Sequence, residues 1–348
     1  MNRCVLGWKA DCGGSAAAIC NQTQDAIDEF CSVHPPVGSR VIDTALRDHL
    51  LDITHNFMAD GAPAEQKAAA MLYDGGSGLL KHMKLRGREK SHSARGCVKR
   101  AFTSVDMLKQ LWEQHLTGGD STLSKINHAS SLNAMWRQEL TEIESEVHSK
   151  ICNTGSAAQR FESTFVPACM FVVTLGAILR LLCRLSSMKN HMYSKWARRK
   201  LVSITPELVI LSGLAADIGD DCDAWVRFHD HELFDVTELV SSLREFMLTM
   251  HTMIIKKHAL KAENSYLSKA VAFIQQRHVF VYDADGLEHV LHANDVSPLL
   301  NLAMSKFSEW YTSLRIEVSS EFPDFEIIQA LSSLQLNTLT YDDADYTF

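Results

Sequence analysis

Residues 57–63 read FMADGAP, a short apolar run that ends at an aspartate, a glycine and a proline. This pattern predicts a short β-strand that ends at the acidic residue, followed by a helix that begins at Pro63, because proline favours the first helical turn. Upstream, Asp43 precedes apolar residues at helical spacing and predicts a helix N-cap. Downstream, residues 75–78 (GGSG) predict a turn and residues 79–85 (LLKHMKL) predict a second strand. The first hundred residues therefore predict an α/β or α+β portion.

Beyond His92 the apolar residues recur at helical spacing almost throughout the chain. The predicted helices span residues 105–116, 132–151, 161–185, 201–216, 236–258, 267–274 and 298–318. One later stretch, residues 278–282 (HVFVY), precedes a turn and predicts a strand. The predicted fold class is mainly α with a small α/β portion. We divide the sequence into an α/β region over residues 1–105, a helical domain over 106–330 and an acidic tail over 331–348.

The composition is that of a folded protein whose overall charge opposes binding to nucleic acid. Of the 348 residues, 46% are hydrophobic and 22% are charged, which lies within the globular range. The formal net charge of -8 disfavours non-specific attraction to DNA or to an anionic membrane, so such binding needs a local basic patch. The nine cysteines never form a C-x-x-C pair, and residues 1–14 lack the pattern of a secretory signal. These features predict an intracellular, reducing compartment.

One stretch, residues 166–179, is apolar and free of charge. As a helix it would span about 21 Å at ~1.5 Å per residue, which is short of a hydrocarbon core of about 30 Å. The stretch therefore predicts a buried core helix, and no membrane is expected among the partners.

The densest basic run covers residues 81–100 and contains a single acid, Glu89. Its basic residues are Lys81, Lys84, Arg86, Arg88, Lys90, Arg95, Lys99 and Arg100. Such a cluster can contact phosphates, but a solvated helix face and loop would have the same composition. A second cluster surrounds Trp196 in residues 195–200 (KWARRK) and has the same two interpretations.

Two acidic features are candidate metal sites. Asp60 would follow a buried strand, where a carboxylate can hold a divalent cation at a sheet edge, and Asp-Gly is also common in simple turns. The segment HDHE at residues 229–232 carries imidazole and carboxylate groups, but it lacks a third ligand at a known spacing and also fits a polar loop. The glycines of residues 75–78 lack the Gly-Lys-Ser/Thr ending of a phosphate-binding loop.

Several of these elements together resemble the middle of the RNase H-like core in hAT-superfamily DNA transposases. The resemblance is carried by MADGA at residues 58–62 and SHSAR at residues 91–95. In that family an Asp-(Asn/Gly)-Ala stretch supplies the second metal-binding acid, and a Cys-x-x-His-x-x-Asn-like element follows one helix and one strand later. Asp60 matches the acid and His92 matches the histidine, whereas Glu89 stands at the cysteine position.

A second resemblance to the same family lies in residues 159–164 (QRFEST), where Arg160 matches the arginine of its Arg-Trp-Asn-Ser-Thr segment. In the family this segment opens a large helical insertion domain. The resemblance implies a partial RNase H-like core over residues 1–105 and an insertion-type domain over 106–330. It also implies DNA as a partner, a nuclear location and Mg²⁺ as a cofactor if any transposase-like activity remains.

The chain departs from the family at two of the three catalytic acids. The first aspartate should lie on a strand upstream of Asp60, where Asp11 is an early candidate without a strand around it. The third acid is a glutamate after the insertion, for which Glu317, Glu321 and Glu326 are candidates. One assignable acid cannot hold two Mg²⁺ ions for attack on a phosphodiester. The resemblance thus implies a truncated or degenerate transposase that retains DNA or protein binding without strand cleavage.

The implied site consists of one acid and a basic set. Asp60 is the catalytic and metal-binding candidate. The nucleic-acid-binding candidates are Lys81, Lys84, Arg86, Arg88, Lys90, His92, Arg95 and Arg160. Besides DNA, a second copy of the chain or another protein is a candidate partner. Two alternatives stay open: a helical interaction or scaffold protein with no nucleic-acid role, and an enzyme of unfamiliar type built around His229.

Overall fold

The computed structural model of this chain describes residues 15–33, 41–59, 63–83, 85–88, 90–143, 165–188, 190–229, 238–282 and 286–322. The described part is mainly helical with a few short strands, which confirms the predicted class at that level. The chain divides into two compact units, Met1–Ser93 and Ala94–Phe348. Each unit is described separately below.

The first unit alternates helices with short strands. Its elements are α1 (Ala16–Phe30), β1 (Ser32–Val33), β2 (Val41–Ile42), α2 (Thr44–Ile53), β3 (Asn56–Ala59), α3 (Pro63–Tyr73) and β4 (Leu85–Arg88). Strands β1 and β2 pair antiparallel. Strands β3 and β4 pair in parallel, from Asn56 opposite Leu85 to Ala59 opposite Arg88. Because parallel neighbours need a crossover, β3, α3 and β4 form a βαβ unit.

Local chemistry explains where these helices begin. The Ser15 hydroxyl accepts the Ala18 N–H at 3.2 Å and caps α1. The Asp43 carboxylate accepts the Leu46 N–H at 3.0 Å and caps α2, as the sequence predicts. Pro63 opens α3, where its missing N–H costs no helical hydrogen bond.

The predicted strand over residues 79–85 is wrong, because the chain forms turns there and the strand begins only at Leu85. Leu80 donates its N–H to Leu72 O at 2.8 Å, which folds this stretch back onto the end of α3. Leu80 and Met83 are buried in the core of the first unit beside Ile27. The apolar spacing that predicts a strand therefore reflects the burial of turn residues.

The second unit is built from helices and one hairpin. The helices are α4 (Lys90–Thr103), α5 (Asp106–Leu111), α6 (Thr122–His128), α7 (Ser130–Ile143), α8 (Val166–Val173), α9 (Leu175–Ser187), α10 (Ser194–Ser203), α11 (Pro206–His229), α12 (Leu239–Met250), α13 (Tyr266–Gln275) and α14 (Ser297–Glu321). Helix α4 starts in the last residues of the first unit. The hairpin pairs β5 (His278–Val281) with β6 (Glu288–Leu291), so a strand exists where residues 278–282 predict one, and β6 has no counterpart among the predicted elements. The predicted domain boundary after residue 105 falls between α4 and α5.

Helix α11 is the centre of the second unit's core. Most of its residues from Leu208 to Val226 are buried, and it packs against α8 and α13. Two glycines allow this close approach. A Cβ on Gly213 would lie 2.9 Å from the Ala270 Cβ of α13, and a Cβ on Gly219 would lie 2.3 Å from the Phe165 Cβ.

Two predicted helices are each divided in the structure. The predicted helix over residues 161–185, whose first four residues lie outside the described ranges, bends by 73° at Thr174, between α8 and α9. The predicted helix over residues 201–216 is interrupted before Pro206, whose ring disfavours helical geometry in the preceding residue. No single helix in the described ranges has the length and apolarity to cross a membrane, although α8 with α9 and α10 with α11 meet that test as bent pairs.

Candidate functional site

The acid predicted to bind a metal lies outside the described residues. Asp60 is the next residue in the chain after β3, which ends at Ala59. Lys84 and Arg160 also lie outside the described ranges. The metal-binding role of Asp60 stays a prediction.

The structure places four of the predicted nucleic-acid residues on two consecutive elements. Arg86 and Arg88 lie in β4, opposite Phe57 and Ala59 of β3. Lys90 and His92 lie in the first turn of α4. The basic run therefore includes the end of a strand at Arg88 and the start of a helix at Lys90.

Other members of the basic run are engaged with carboxylates. Lys81 Nζ lies 3.6 Å from Asp52 Oδ1, and both side chains are exposed. Arg100 donates from Nε to Glu317 Oε2 at 2.6 Å and from its terminal nitrogen to Glu321. Arg100 thus joins α4 to α14, and its charge is neutralised where the sequence suggested a solvated or phosphate-binding residue.

Arg95 lies in α4 and is half-buried. Its charge, together with that of Arg227, favours the ionised form of Asp223 in α11. Burial has the larger, opposite effect and raises the pKa of Asp223 to about 7. Asp223 Oδ2 accepts the Phe165 N–H at 3.4 Å, and Oδ1 has no hydrogen-bond partner in the part of the chain that the structure describes. Sequence spacing gives no signal for this pair, because α4 and α11 are distant in the chain.

The second basic cluster is largely structural. Trp196 is buried and donates its Nε1 hydrogen to Asp120 O at 3.2 Å. Lys200 is also buried and donates to Gln114 O at 3.0 Å. Arg198 lies over the Tyr282 ring at 5.2 Å from its centroid. Lys195 and Arg199 are exposed, so only part of this cluster faces solvent as a basic surface.

A histidine and a serine that are far apart in sequence meet in the second unit. His115 Nδ1 lies 3.0 Å from Thr122 Oγ1, and Nε2 lies 3.2 Å from Ser203 Oγ. The Ser203 hydroxyl donates its single hydrogen to Lys200 O at 2.8 Å, so His115 Nε2 must be the donor to Ser203. Burial, with a smaller effect of Lys200, lowers the pKa of His115 to about 3. The neutral histidine therefore ties two elements together and is not placed to activate Ser203 as a nucleophile.

The predicted polar loop at residues 229–232 is wrong for its first residue. His229 is buried and is the last residue of α11, where its ring meets the Trp225 ring edge to face at 5.3 Å. The other three residues lie outside the described ranges. Across the described part of the chain, no three His, Cys, Asp or Glu residues are grouped so that they could hold a metal ion.

A cavity of about 440 Å³ lies between α11 and α12. We call it the acidic groove. One wall is a face of α11 at helical spacing: Asp221, Ala224, Trp225 and Phe228. The other wall is a face of α12 and the residue before it: Glu238, Ser241, Ser242, Glu245, Phe246 and Thr249. The two walls meet where the Trp225 and Phe246 rings stack at 4.2 Å with an interplanar angle of 3°.

A second cavity of about 580 Å³ lies on the other side of α12, against α14. We call it the α12–α14 groove. Its walls carry Arg244 and Arg315 and include no carboxylate among the described lining residues. Leu243, Met247 and Ile316 make the rest of it mainly apolar, and the Ile316 side chain is 66% exposed. Helix α12 therefore separates an acidic cavity from a basic one.

Comparisons of the sequence with protein-family models, with curated proteins and with solved structures find no match.

Proposed function

We propose that this chain is a protein derived from a hAT-type transposase, with a partial RNase H-like core, which binds DNA in the nucleus without cleaving strands on its own. The observation that supports it is the βαβ unit. The resemblance implies the segment with Asp60, then a helix, then a strand and then the segment with His92. Strand β3, helix α3, strand β4 and helix α4 occur in this order, and the two strands are parallel.

The geometry of the βαβ unit also supports a binding role at one edge. In open sheets with parallel strands, ligands bind outside the carboxyl ends of the strands. Strands β3 and β4 end together, at Ala59 and Arg88. Arg88, the last residue of β4, thus occurs at the edge that is used for binding in such sheets, where Asp60 directly follows the end of β3 in the chain.

The candidate third acids support the absence of strand cleavage. Glu317 and Glu321 both bind Arg100, so neither is a free metal ligand, and the third candidate, Glu326, lies outside the described residues. Two-metal chemistry needs several carboxylates around the ions. A chain with Asp60 as its one assignable acid would bind DNA and at most one weakly held Mg²⁺.

Fluorescence anisotropy of the full chain with a labelled DNA duplex, repeated over a range of salt concentrations, tests this function. We expect log affinity to fall linearly with log salt, because bound phosphates release counterions. A triple variant with Lys84→Gln, Arg86→Gln and Arg88→Gln should bind more weakly. Its salt slope should be smaller by about 0.9 for each phosphate that the protein no longer neutralises.

The matched control removes the same charge elsewhere, with Lys109→Gln, Lys256→Gln and Lys261→Gln at three exposed lysines. It should keep the affinity and slope of the wild-type chain. Circular dichroism melting separates a loss of binding from a loss of fold.

The metal part of the proposal is tested by Mg²⁺ titration in a calorimeter. The titration should show a signal that Asp60→Ala removes and that Asp48→Ala, at an exposed position of α2, leaves intact. An unchanged titration for Asp60→Ala would remove the metal from the proposal.

The second candidate is a helical interaction protein with no nucleic-acid role. The α12–α14 groove favours it, because two guanidinium groups beside exposed apolar surface suit a protein segment that carries carboxylates. The DNA experiment separates the two candidates. No binding to the duplex at low salt would reject the transposase-derived function and leave this one.

A further inference from the structure

The acidic groove has the dimensions and lining of a small-ligand site. Its volume of about 440 Å³ lies within the range of ~300–1,000 Å³ that is usual for such sites. Aromatic rings form its apolar part, with the stacked Trp225 and Phe246 almost completely buried. Phe228 is 37% exposed and is the most exposed of the three rings that line the groove.

The charge of the groove selects the kind of ligand. Asp221, Glu238 and Glu245 contribute three carboxylates, and the described lining residues include no Lys, Arg or His. Three further residues, Ser241, Ser242 and Thr249, add hydroxyl groups on the α12 side. Asp221 and Glu245, which lie on opposite walls, therefore favour a ligand that carries positive charge.

The spacing of the carboxylates argues against a bare metal ion as this ligand. The three acids share one cavity, yet no three acidic, histidine or cysteine residues in the described ranges are close enough to coordinate one ion. A cation with an extended body matches separated carboxylates better, since its ammonium or guanidinium groups can reach different acids while methylenes pack on the rings.

Trp225 forms a buried part of the groove wall. Its side chain is only 4% exposed, and its indole N–H has no acceptor among the described residues. A buried donor without a partner costs free energy in a folded protein. This nitrogen is buried within the wall and is not exposed to the groove.

We propose that the acidic groove between α11 and α12 binds an organic cation, namely an aliphatic ammonium or guanidinium group on an apolar stem. Asp221 and Glu245, from opposite walls, hold the charged groups. Phe228 packs against the stem. The same chemistry is present in a free polyamine and in the arginine or lysine side chain of a peptide.

Isothermal titration calorimetry of the full chain tests the proposal with two probes: spermidine for a free polyamine, and an acetylated, amidated Ala-Arg-Ala-Lys peptide for a basic protein segment. We expect saturable binding of at least one probe. Tighter spermidine binding assigns the groove to a free polyamine, and tighter peptide binding assigns it to a protein partner. Glu245→Gln and Asp221→Asn should each weaken the tighter probe about fivefold, the usual effect of one partly exposed ion pair.

Two controls address the negative charge of the whole chain and its fold. Glu263→Gln removes the same charge at an exposed turn and should leave the affinity unchanged. Phe228→Ala should weaken binding, whereas Ile316→Ala, at an exposed residue of the α12–α14 groove, should not. The proposal is overturned if neither probe binds saturably, or if Glu263→Gln weakens binding as much as Glu245→Gln does. The proposal is also overturned if Mg²⁺ displaces the bound probe as well as an equal concentration of the unlabelled organic cation does.

Discussion

The carboxyl group of Asp223 in α11 is buried, and among the described residues it accepts one weak hydrogen bond, from Phe165 N–H at 3.4 Å. Burial raises its pKa to about 7, whereas an aspartate in an unfolded chain titrates near ~3.9. The folded state therefore holds this proton more tightly than the unfolded state. Its contribution to stability is present below the unfolded pKa and is lost as pH rises through about 7.

Replacing the charged carboxylate with its neutral isostere should stabilise the protein at high pH. We expect Asp223→Asn to raise the free energy of unfolding by roughly 1–3 kcal/mol at pH 8, and to change it little at pH 4.5, where the wild-type carboxyl is already protonated. Urea unfolding followed by tryptophan fluorescence measures both values.

Glu113→Gln is the control for Asp223→Asn, because it removes one charge from an exposed residue of the same unit. It should change the free energy of unfolding by less than about 0.5 kcal/mol at either pH. Equal unfolding curves for Asp223→Asn and the wild-type chain at pH 8 would mean that Asp223 is hydrated or paired when ionised.

At the scale of elements, helix α11 depends on glycine where it crosses the start of α8. A Cβ added to Gly219 would lie 2.3 Å from the Phe165 Cβ, far inside van der Waals contact. Alanine normally favours a helix over glycine by about 1 kcal/mol, but overpacking a core costs about 1–3 kcal/mol. We expect Gly219→Ala to destabilise the second unit by about 2 kcal/mol in urea unfolding.

Gly119 provides the matched comparison, because a Cβ there would meet nothing within 4 Å. Gly119→Ala should leave the free energy of unfolding within about 0.5 kcal/mol of the wild-type value. If both alanine variants unfold at the wild-type urea concentration, α11 can move away from Phe165 without cost, and the close approach does not hold the helices in place.

A helix start that depends on local chemistry can be predicted from the sequence, as Asp43 shows for α2. Ser15 and Asp43 cap their helices through bonds to residues three positions later, which a sequence pattern can reveal. The bend at Thr174 is different. Its hydroxyl donates to Met170 O at 2.7 Å and its backbone leaves the helical region, although the apolar pattern continues without interruption. Packing of α8 and α9 in the core decides that bend, so neighbouring residues alone do not predict it.

The candidate sites also differ in whether their residues are close together or far apart in the sequence. Asp60 and the basic run are visible because their residues are adjacent in sequence. The pairs His115 with Ser203 and Arg100 with Glu317 join residues that are far apart, so no local pattern marks them. The acidic groove is an intermediate case. Each wall has helical spacing in the sequence, but only the packing of α11 against α12 shows that a cavity remains between them.

At the scale of the whole molecule, two buried titratable groups have opposite effects on how stability depends on pH. His115 has a folded pKa of about 3 and an unfolded value near ~6.5, so its contribution to stability is present above pH ~6.5 and is lost as pH falls towards 3. Asp223 acts in the opposite direction between about 4 and 7. Burial lowers the pKa of His289 and raises the pKa of Asp217. His289 therefore changes the pH dependence of stability in the same direction as His115, and Asp217 changes it in the same direction as Asp223.

Because these groups change the free energy of unfolding in opposite directions with pH, we expect the stability of the wild-type chain to be nearly constant between about pH 4.5 and 6.5. Each proton can contribute up to ~1.4 kcal/mol per pH unit, with either sign. Removing one group should reveal the other. Asp223→Asn should lose stability as pH falls through this window, and His115→Asn should lose stability as pH rises through it. Urea unfolding at half-unit pH steps gives the three curves. Parallel curves for the two variants would show that neither buried group controls the pH dependence, and would assign it to exposed carboxylates and histidines instead.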